Sequence, residues 1–126
     1  MELKRVVVTG LGAITPIGNT VPEFWKNLKD GVSGAGPITY FDASQFKTQF
    51  ACEVKNFDAT EFIHRKEARR MDLYAQYAVG VAKEAVEDSG LDLEKEDLNR
   101  IGVIFGSGIG GIHTFEEEVG YYAQNL

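Results

Sequence analysis

Cysteine is almost absent from this chain, because Cys52 is the only one among its 126 residues. A single thiol excludes a disulfide framework and fits the reducing cytoplasm, where we expect the protein to act. Long apolar runs are also missing, since no stretch approaches the roughly 18 residues that a membrane-spanning helix needs. The apolar start at residues 6–18 resembles a signal peptide, but Gly10, Gly12 and Pro16 interrupt it. We therefore expect no membrane partner.

Positive charge is in deficit. Thirteen Lys and Arg residues face 19 Asp and Glu residues, which gives a net charge of -6. A field of this sign repels phosphates, so we expect no nucleic-acid partner. Hydrophobic residues make up 44% of the chain and charged residues 25%, which is typical of a globular domain rather than a disordered one.

Residues with obvious catalytic or metal-binding chemistry are few. His64 and His113 are isolated from each other, and their spacing matches no metal-ligand pattern, so we predict no metal site. Cys52 lies in the sequence FACEV with Glu53 beside it and no helix start, so we predict a small buried hydrophobe in a strand. No serine elbow or Walker loop is present, and we predict no catalytic residue in this chain.

Predicted strands and helices alternate along the chain. Apolar runs at residues 6–8 and 101–105 predict buried parallel strands, each entering a glycine-rich turn. The alternation Phe50, Cys52, Val54 predicts a half-buried strand. Four helical segments are predicted, and they cover residues 20–31, 59–63, 66–88 and the stretch after residue 111.

The order of these elements favours an α/β fold with a parallel sheet. Small apolar residues along residues 66–88 predict a helix that lies between layers rather than on a surface. Two principal parallel strands are too few for a complete sheet of this type. We therefore expect residues 1–126 to be one part of a larger domain, without an internal boundary.

The second glycine turn carries an alternative function. Gly106, Gly108 and Gly111 spell G-x-G-x-x-G between a strand and a helix, which favours a nucleotide-binding module. The acidic residue expected about 20 residues later would fall beyond Leu126, so the pattern stands alone. The first glycine turn, at residues 10–12, lacks the third glycine, and its helix begins too late to hold a phosphate.

A basic segment, residues 64–70 with the sequence HRKEARR, interrupts the acidic background. At helical spacing Lys66, Arg69 and Arg70 share one face. Such a run is usually a solvated helix start, but cations at a helix N-terminus oppose the macrodipole. The segment therefore points to an acidic partner or a phosphate.

Three stretches together resemble one family. They are VVVTGLGAITPIGN at residues 6–19, KEARRMDLYAQYA at residues 66–78 and RIGVIFGSGIGG at residues 100–111. In order and spacing they resemble the β-ketoacyl-acyl-carrier-protein synthases, in particular the type II, long-chain elongating enzymes of bacterial fatty-acid synthesis. The resemblance implies a thiolase-like fold of α-β-α-β-α layers, a homodimer, and a chain that forms the N-terminal part of the first half.

The resemblance also implies an acyltransferase. Family members move an acyl chain from acyl carrier protein to a cysteine and condense it with malonyl carrier protein after decarboxylation. The substrates ride on phosphopantetheine, and no bound cofactor is implied. The nucleophilic cysteine and its two histidines are expected beyond Leu126, so we predict that the isolated chain is inactive.

Two sets of residues match the positions of family sites. Lys66, Arg69 and Arg70 match positions that contact the acidic carrier protein. Ile109, with Gly108 beside it, matches a position that looks into the acyl pocket, where the related type I synthases tend to have glycine. A non-catalytic fragment that binds carrier protein or supports dimerisation is a third possibility.

Overall fold

The computed structural model describes residues 3–126, and helices dominate it. Two strands of two residues each, β1 (Gly36–Pro37) and β2 (Phe50–Ala51), pair antiparallel. Turns of 3-10 helix lie at Ala59–Glu61 and Leu98–Arg100. The four α-helices are α1 (Val21–Lys29), α2 (Arg65–Ala68), α3 (Leu73–Ser89) and α4 (Ile112–Gln124).

The parallel strands predicted at residues 6–8 and 101–105 are not formed, so that part of the prediction is wrong for the described chain. Neither stretch belongs to a strand, and Val6 and Ile104 are 90% and 100% exposed. A parallel strand needs hydrogen-bonding neighbours at its edges and packed layers on its faces. Residues 3–126 supply neither to these two stretches.

The first predicted helix is confirmed as α1. The Thr20 hydroxyl accepts a hydrogen bond from the backbone N–H of Glu23 at 3.3 Å, as a capping residue does. The Glu23 carboxylate in turn accepts from the backbone N–H of Asn19 at 2.8 Å. The helix ends before Gly31, where the sequence places the stop.

The long helix predicted over residues 66–88 is divided in two. The helix α2 ends at Ala68, and α3 begins only after Asp72, whose carboxylate accepts from the backbone N–H of Tyr74 at 3.2 Å. An aspartate competes for backbone N–H groups and favours a cap over a helix interior. The Gln76 amide bridges the break by donating to the carbonyls of Ala68 and Met71, both at 3.0 Å.

The first glycine turn lies directly on α3. A Cβ added to Gly12 would come within 2.9 Å of the Val81 carbonyl carbon, and one added to Gly10 within 2.6 Å of the Ser89 nitrogen. Close approach of the two backbones therefore requires glycine at both positions. Small residues on α3 permit this contact.

Carboxylates on α3 fasten the same turn. Asp88 accepts from the backbone N–H of Leu11 at 2.9 Å. Glu84 accepts from the backbone N–H groups of Ala13 and Val21, both at 2.8 Å. The N-terminal loop and the start of α1 are thus tied to one helix by charge-assisted hydrogen bonds.

A small apolar core lies between α3 and the segment before α2. Ala59, Ile63 and Ala68 are buried there. The Phe57 ring stacks on Phe62 with centroids 6.1 Å apart and meets Tyr77 edge-on at 4.8 Å. The short helix predicted near residues 59–63 is present as the 3-10 turn Ala59–Glu61.

The strand predicted around residues 50–54 is present only as β2, and of its predicted inward side chains only Val54 is half-buried. Phe50 and Cys52 are exposed, whereas Ala51 and Glu53 are half-buried. The Glu53 carboxylate accepts from both the backbone N–H and the hydroxyl of Thr39, at 2.9 and 2.6 Å, which turns this side of the strand inward. The prediction of a buried Cys52 is therefore wrong.

The described chain exposes an unusually large surface. Its accessible area is 10,722 Å², whereas a compact monomer of 13.9 kDa exposes about 6,700 Å². Apolar side chains of α4 contribute, because Ile112, Phe115 and Tyr122 are each more than half exposed. No helix within residues 3–126 has the length and hydropathy to span a membrane.

Candidate functional site

The second glycine turn reverses the chain between residues 101–105 and α4. Gly110 has a φ of +80°, in the left-handed region that favours glycine. Its N–H donates to the Ser107 hydroxyl at 3.3 Å. Gly110 is not a glycine of the G-x-G-x-x-G pattern, and a Cβ added to Gly106 or Gly108 would meet nothing within 4 Å. The pattern's first two glycines are therefore not required by backbone packing in the described chain.

Asp72 holds the start of α4. Gly111 precedes this helix and has no side chain with which to cap it. Instead Asp72 Oδ2 accepts from the Thr114 hydroxyl at 2.8 Å and from the Thr114 N–H at 3.4 Å. A Cβ added to Gly111 would lie 2.9 Å from the same oxygen, so glycine makes room for the carboxylate. The hydrogen bond from the Thr114 hydroxyl is the main reason that the pKa of Asp72 lies below its ordinary value.

This arrangement argues against a nucleotide at Gly106, Gly108 and Gly111. A phosphate-binding turn presents free N–H groups of the first helical turn to an anion. Here the chain's own Asp72 carboxylate occupies that position, and its charge would repel a phosphate. The first glycine turn is filled in the same way, since Glu84 and Asp88 bind its N–H groups.

An open cleft of about 780 Å³ lies beside the second turn. Its lining is mixed, with the apolar or aromatic side chains of Tyr40, Phe41, Leu73 and Ile112 beside Gly110 and the polar side chains of Asp72, His113, Glu116 and Glu117. The predicted acyl-pocket residues lie next to this cleft in sequence. Ile109 directly precedes Gly110 and is 77% exposed, and Gly108 is exposed as well.

The basic segment is placed differently from the prediction. Lys66 lies within α2, Arg69 is its C-cap and still donates its N–H to the Arg65 carbonyl, and Arg70 follows the helix. Arg69 and Arg70 lie at a helix C-terminus, where the macrodipole favours cations, so the predicted conflict with the macrodipole does not apply to them, whereas Lys66 is the second residue of α2. All three side chains are exposed, and within residues 3–126 none has a carboxylate oxygen within 4.0 Å.

Two residues that the sequence analysis did not single out fix this basic segment in place. The Gln76 amide holds the carbonyls of Ala68 and Met71, and Asp72 caps α3. Ala68 itself is buried in the small core. The sequence carries a signal for Asp72, because an aspartate before an apolar helical run is a typical N-cap. The side-chain bridge made by Gln76 has no comparable signal.

The remaining reactive side chains lie apart and have local roles. His64 caps α2, and its Nδ1 accepts from the N–H of Lys66 at 3.3 Å. His113 lies 3.4 Å from a carboxylate oxygen of Glu117 on the same helix. Cys52 is exposed and directly follows β2. In the described part of the chain, no group of three or more potential metal ligands comes together.

Comparisons with known proteins agree on one family. The family model described as beta-ketoacyl synthase, N-terminal domain, matches residues 3–125. A protein of Synechocystis sp. named 3-oxoacyl-[acyl-carrier-protein] synthase 2 is 51% identical over 118 residues, which are 94% of this chain and 28% of that protein. A protein of the same name from Vibrio harveyi is 49% identical over 92% of this chain and 28% of its own length. The chain thus spans little more than a quarter of these relatives.

Solved structures show the same likeness. A structure titled the ishigamide ketosynthase/chain length factor superposes with a TM-score of 0.64 and 43% identity, over 70% of this chain and 22% of that one. A type II polyketide acyl-carrier protein in complex with its ketosynthase, bound to the hexaketide, gives a TM-score of 0.70 and 27% identity over 91% of this chain and 30% of that one. These neighbours support a thiolase-like fold. The chain therefore belongs to the beta-ketoacyl synthase family, whose N-terminal domain its residues 3–125 match.

Proposed function

We propose that the full-length protein containing this chain is a 3-oxoacyl-[acyl-carrier-protein] synthase of fatty-acid elongation. The observation that carries the proposal is the identity of about half over at least 90% of the chain to proteins of that name. In such a reaction malonyl carrier protein loses carbon dioxide, and its carbanion attacks the acyl thioester and releases the enzyme's cysteine thiolate. Exposed Cys52 lacks the helix start or cationic neighbour that would stabilise a thiolate, so the nucleophile belongs to the rest of the protein.

The reaction is tested with the full-length protein, acyl carrier protein loaded with an acyl chain, and malonyl carrier protein. We expect release of carbon dioxide together with a 3-oxoacyl product that is longer by the malonyl carbons that remain after decarboxylation, and no requirement for an added cofactor. The 126-residue chain alone should give neither product. A folded full-length protein that releases no carbon dioxide and extends no chain would contradict the assignment.

The large exposed surface supports a specific place for this chain in the assembly. We propose that residues 6–8 and 101–105 become strands of a layered α-β-α-β-α fold in a cytoplasmic homodimer, and that residues 1–126 form one part of a single domain. Val6, Val8 and Ile104 are exposed here, and burial of such β-branched runs would favour a sheet. Hydrogen exchange in the full-length protein should find the amides of Val7 and Ile104 strongly protected. Rapid exchange at both would contradict this placement.

The basic segment is proposed as the contact for acyl carrier protein. Lys66, Arg69 and Arg70 present three exposed cations on a molecule with a net charge of -6, and within the described chain no carboxylate oxygen lies within 4.0 Å of them. Such a cluster is available to an acidic surface, and a carrier protein is strongly anionic. Electrostatic complementarity of this kind raises the rate of association and fixes the orientation of docking.

Charge reversal in the full-length protein tests this contact. The double variant Arg69→Glu, Arg70→Glu should raise the KM for carrier protein by about tenfold at low salt, and added salt should shrink the effect. A matched control, Lys47→Glu with Lys95→Glu, makes the same change in net charge at exposed residues elsewhere. Equal KM values for the two double variants at low salt would contradict the contact.

Ile109 and Gly108 are proposed to face the acyl chain. The support is local: both residues are exposed, and Gly108 has open space around it. The adjoining cleft has apolar walls at Phe41 and Ile112, next to the carboxylates of Glu116 and Glu117. Apolar walls suit a hydrocarbon chain, whereas Asp72 at the same turn disfavours a phosphate. The proposal predicts selectivity by chain length rather than a uniform loss of activity.

A further inference from the structure

We propose that Asp72 is a positioning residue, which fixes the second glycine turn to the basic segment. This inference rests on the proposed synthase function. The Asp72 carboxylate keeps the acyl-facing residue Ile109 at a set position relative to the surface where carrier protein docks.

The first observation is that Asp72 joins two helices that are distant in sequence. Its Oδ1 accepts from the N–H of Tyr74 in the first turn of α3. Its Oδ2 accepts from the hydroxyl and N–H of Thr114 in the first turn of α4, 42 residues away, at 2.8 and 3.4 Å. One carboxylate therefore caps both helices and holds their N-termini together.

The second observation is that Asp72 lies between the basic segment and the second glycine turn. On one side, Arg70 is only two residues before Asp72, and the Gln76 amide ties the intervening Met71 carbonyl to α3. On the other side, Gly111 lies against Asp72 Oδ2, close enough that a Cβ there would come within 2.9 Å. Ile109 is two residues before Gly111, so the turn that carries it ends at the carboxylate.

The function proposed here makes such a link useful. A carrier-bound acyl chain has to reach a fixed point while the carrier protein is docked at another. A shift of about 1 Å between catalytic and positioning groups can lower a rate by roughly a hundredfold. Loss of the Asp72 link should therefore slow acyl transfer within the docked complex, while the docking surface itself keeps its charges.

The test uses four variants of the full-length synthase, with acyl transfer and condensation measured separately. Asp72→Asn and Thr114→Ala should each lower kcat for long acyl chains by about tenfold, with the KM for carrier protein changed less than about twofold. Thr114→Ser retains the hydroxyl and should keep the wild-type kcat. The double variant Asp72→Asn, Thr114→Ala should be no slower than Asp72→Asn alone, because both changes remove the same interaction.

Asp88→Asn is the matched control, since it also removes a carboxylate that binds a backbone N–H, but at the opposite end of α3. It should leave the ratio of long-chain to short-chain kcat unchanged. Additive losses in the double variant, a failure of Thr114→Ser to retain activity, or unchanged kcat in Thr114→Ala would each overturn the positioning role. An inactive wild-type enzyme would instead refute the synthase assignment, so the two failures are distinguishable.

Discussion

The two glycine turns begin with the same letters, G-x-G, and the structure uses them differently. In the first turn, Gly10 and Gly12 press against the backbone of α3, and the carboxylates of Glu84 and Asp88 hold the N–H groups around them. In the second turn, Gly106 and Gly108 have open space where a side chain would be. The first pair therefore serves packing within the chain.

In the second turn, only the last two residues require glycine for a structural reason. Gly110 adopts a positive φ, and Gly111 leaves room for Asp72. The glycines before them face neither backbone nor side chain in the described part of the molecule. A shared glycine pattern thus says little about function until the neighbours of each glycine are known.

The largest expected effect is at Gly12. Replacement of Gly12 by alanine forces a Cβ into the Val81 carbonyl, and we expect a loss of about 3 kcal/mol in the free energy of unfolding. Gly108→Ala meets open space and should change it by less than about 0.5 kcal/mol. Urea unfolding of both full-length variants checks the contrast. Equal losses at the two positions would erase the difference between the turns.

The carboxylate that holds the first turn has the next largest effect. Glu84→Ala leaves the N–H groups of Ala13 and Val21 without their acceptor, and we expect a loss of about 2 kcal/mol. Glu87→Ala is the control on the same helix. Its exposed contact with Lys83 spans 3.9 Å, so its removal should cost less than about 0.5 kcal/mol. Thermal unfolding ranks the two variants, and a larger loss for Glu87→Ala would contradict the role of Glu84.

A smaller effect distinguishes glycines within the second turn. Gly110→Ala places a Cβ on a residue with positive φ, which should cost about 1 kcal/mol of stability. Gly106→Ala should be nearly neutral, because its surroundings are open. Unfolding curves that show the reverse order would mean that the turn's conformation is set elsewhere.

The smallest expected effect is on how stability depends on pH. The pKa of Asp72 is lowered in the folded chain, chiefly by the Thr114 hydroxyl, so its ionised form stabilises the fold. The stabilisation is complete above the ordinary carboxyl pKa of about 3.9 and is lost as the pH falls through the lowered value. The stability difference between wild type and Asp72→Asn should therefore shrink as the solution is acidified. A difference that grows towards low pH would have the wrong sign.

Local signals in the sequence predicted α1 well. The capping box at Thr20 and the glycine at position 31 fixed both ends of α1, because these effects act within one turn of helix. The break in the long helix was missed at Asp72, whose apolar flanks fit an uninterrupted helix. Its cap of α3 is a local signal that was overlooked, whereas its bond to Thr114, which is remote in sequence, required the structure.

Features that depend on distant neighbours were the ones predicted poorly. The runs at residues 6–8 and 101–105 have strand-like composition but no partners to pair with in the described chain. The phase of β2 depends on the bonds between Glu53 and Thr39, so the exposure of Cys52 could not be foreseen. For the candidate site, the resemblance to the synthase family suggested the proposed roles of Arg69 and Ile109, whereas the carboxylate that joins their segments required the structure.

The most direct measurement of the difference between the two turns is acyl transfer from carrier protein to the full-length Ile109→Phe variant, resolved by chain length. If the second turn faces an acyl chain, hexanoyl transfer should stay within about threefold of wild type while palmitoyl transfer falls by about a hundredfold, since the phenyl ring fills the space that only the longer chain needs. Ile109→Val, which removes volume, should transfer both chains. Equal rates for hexanoyl and palmitoyl chains in the phenylalanine variant would contradict the account.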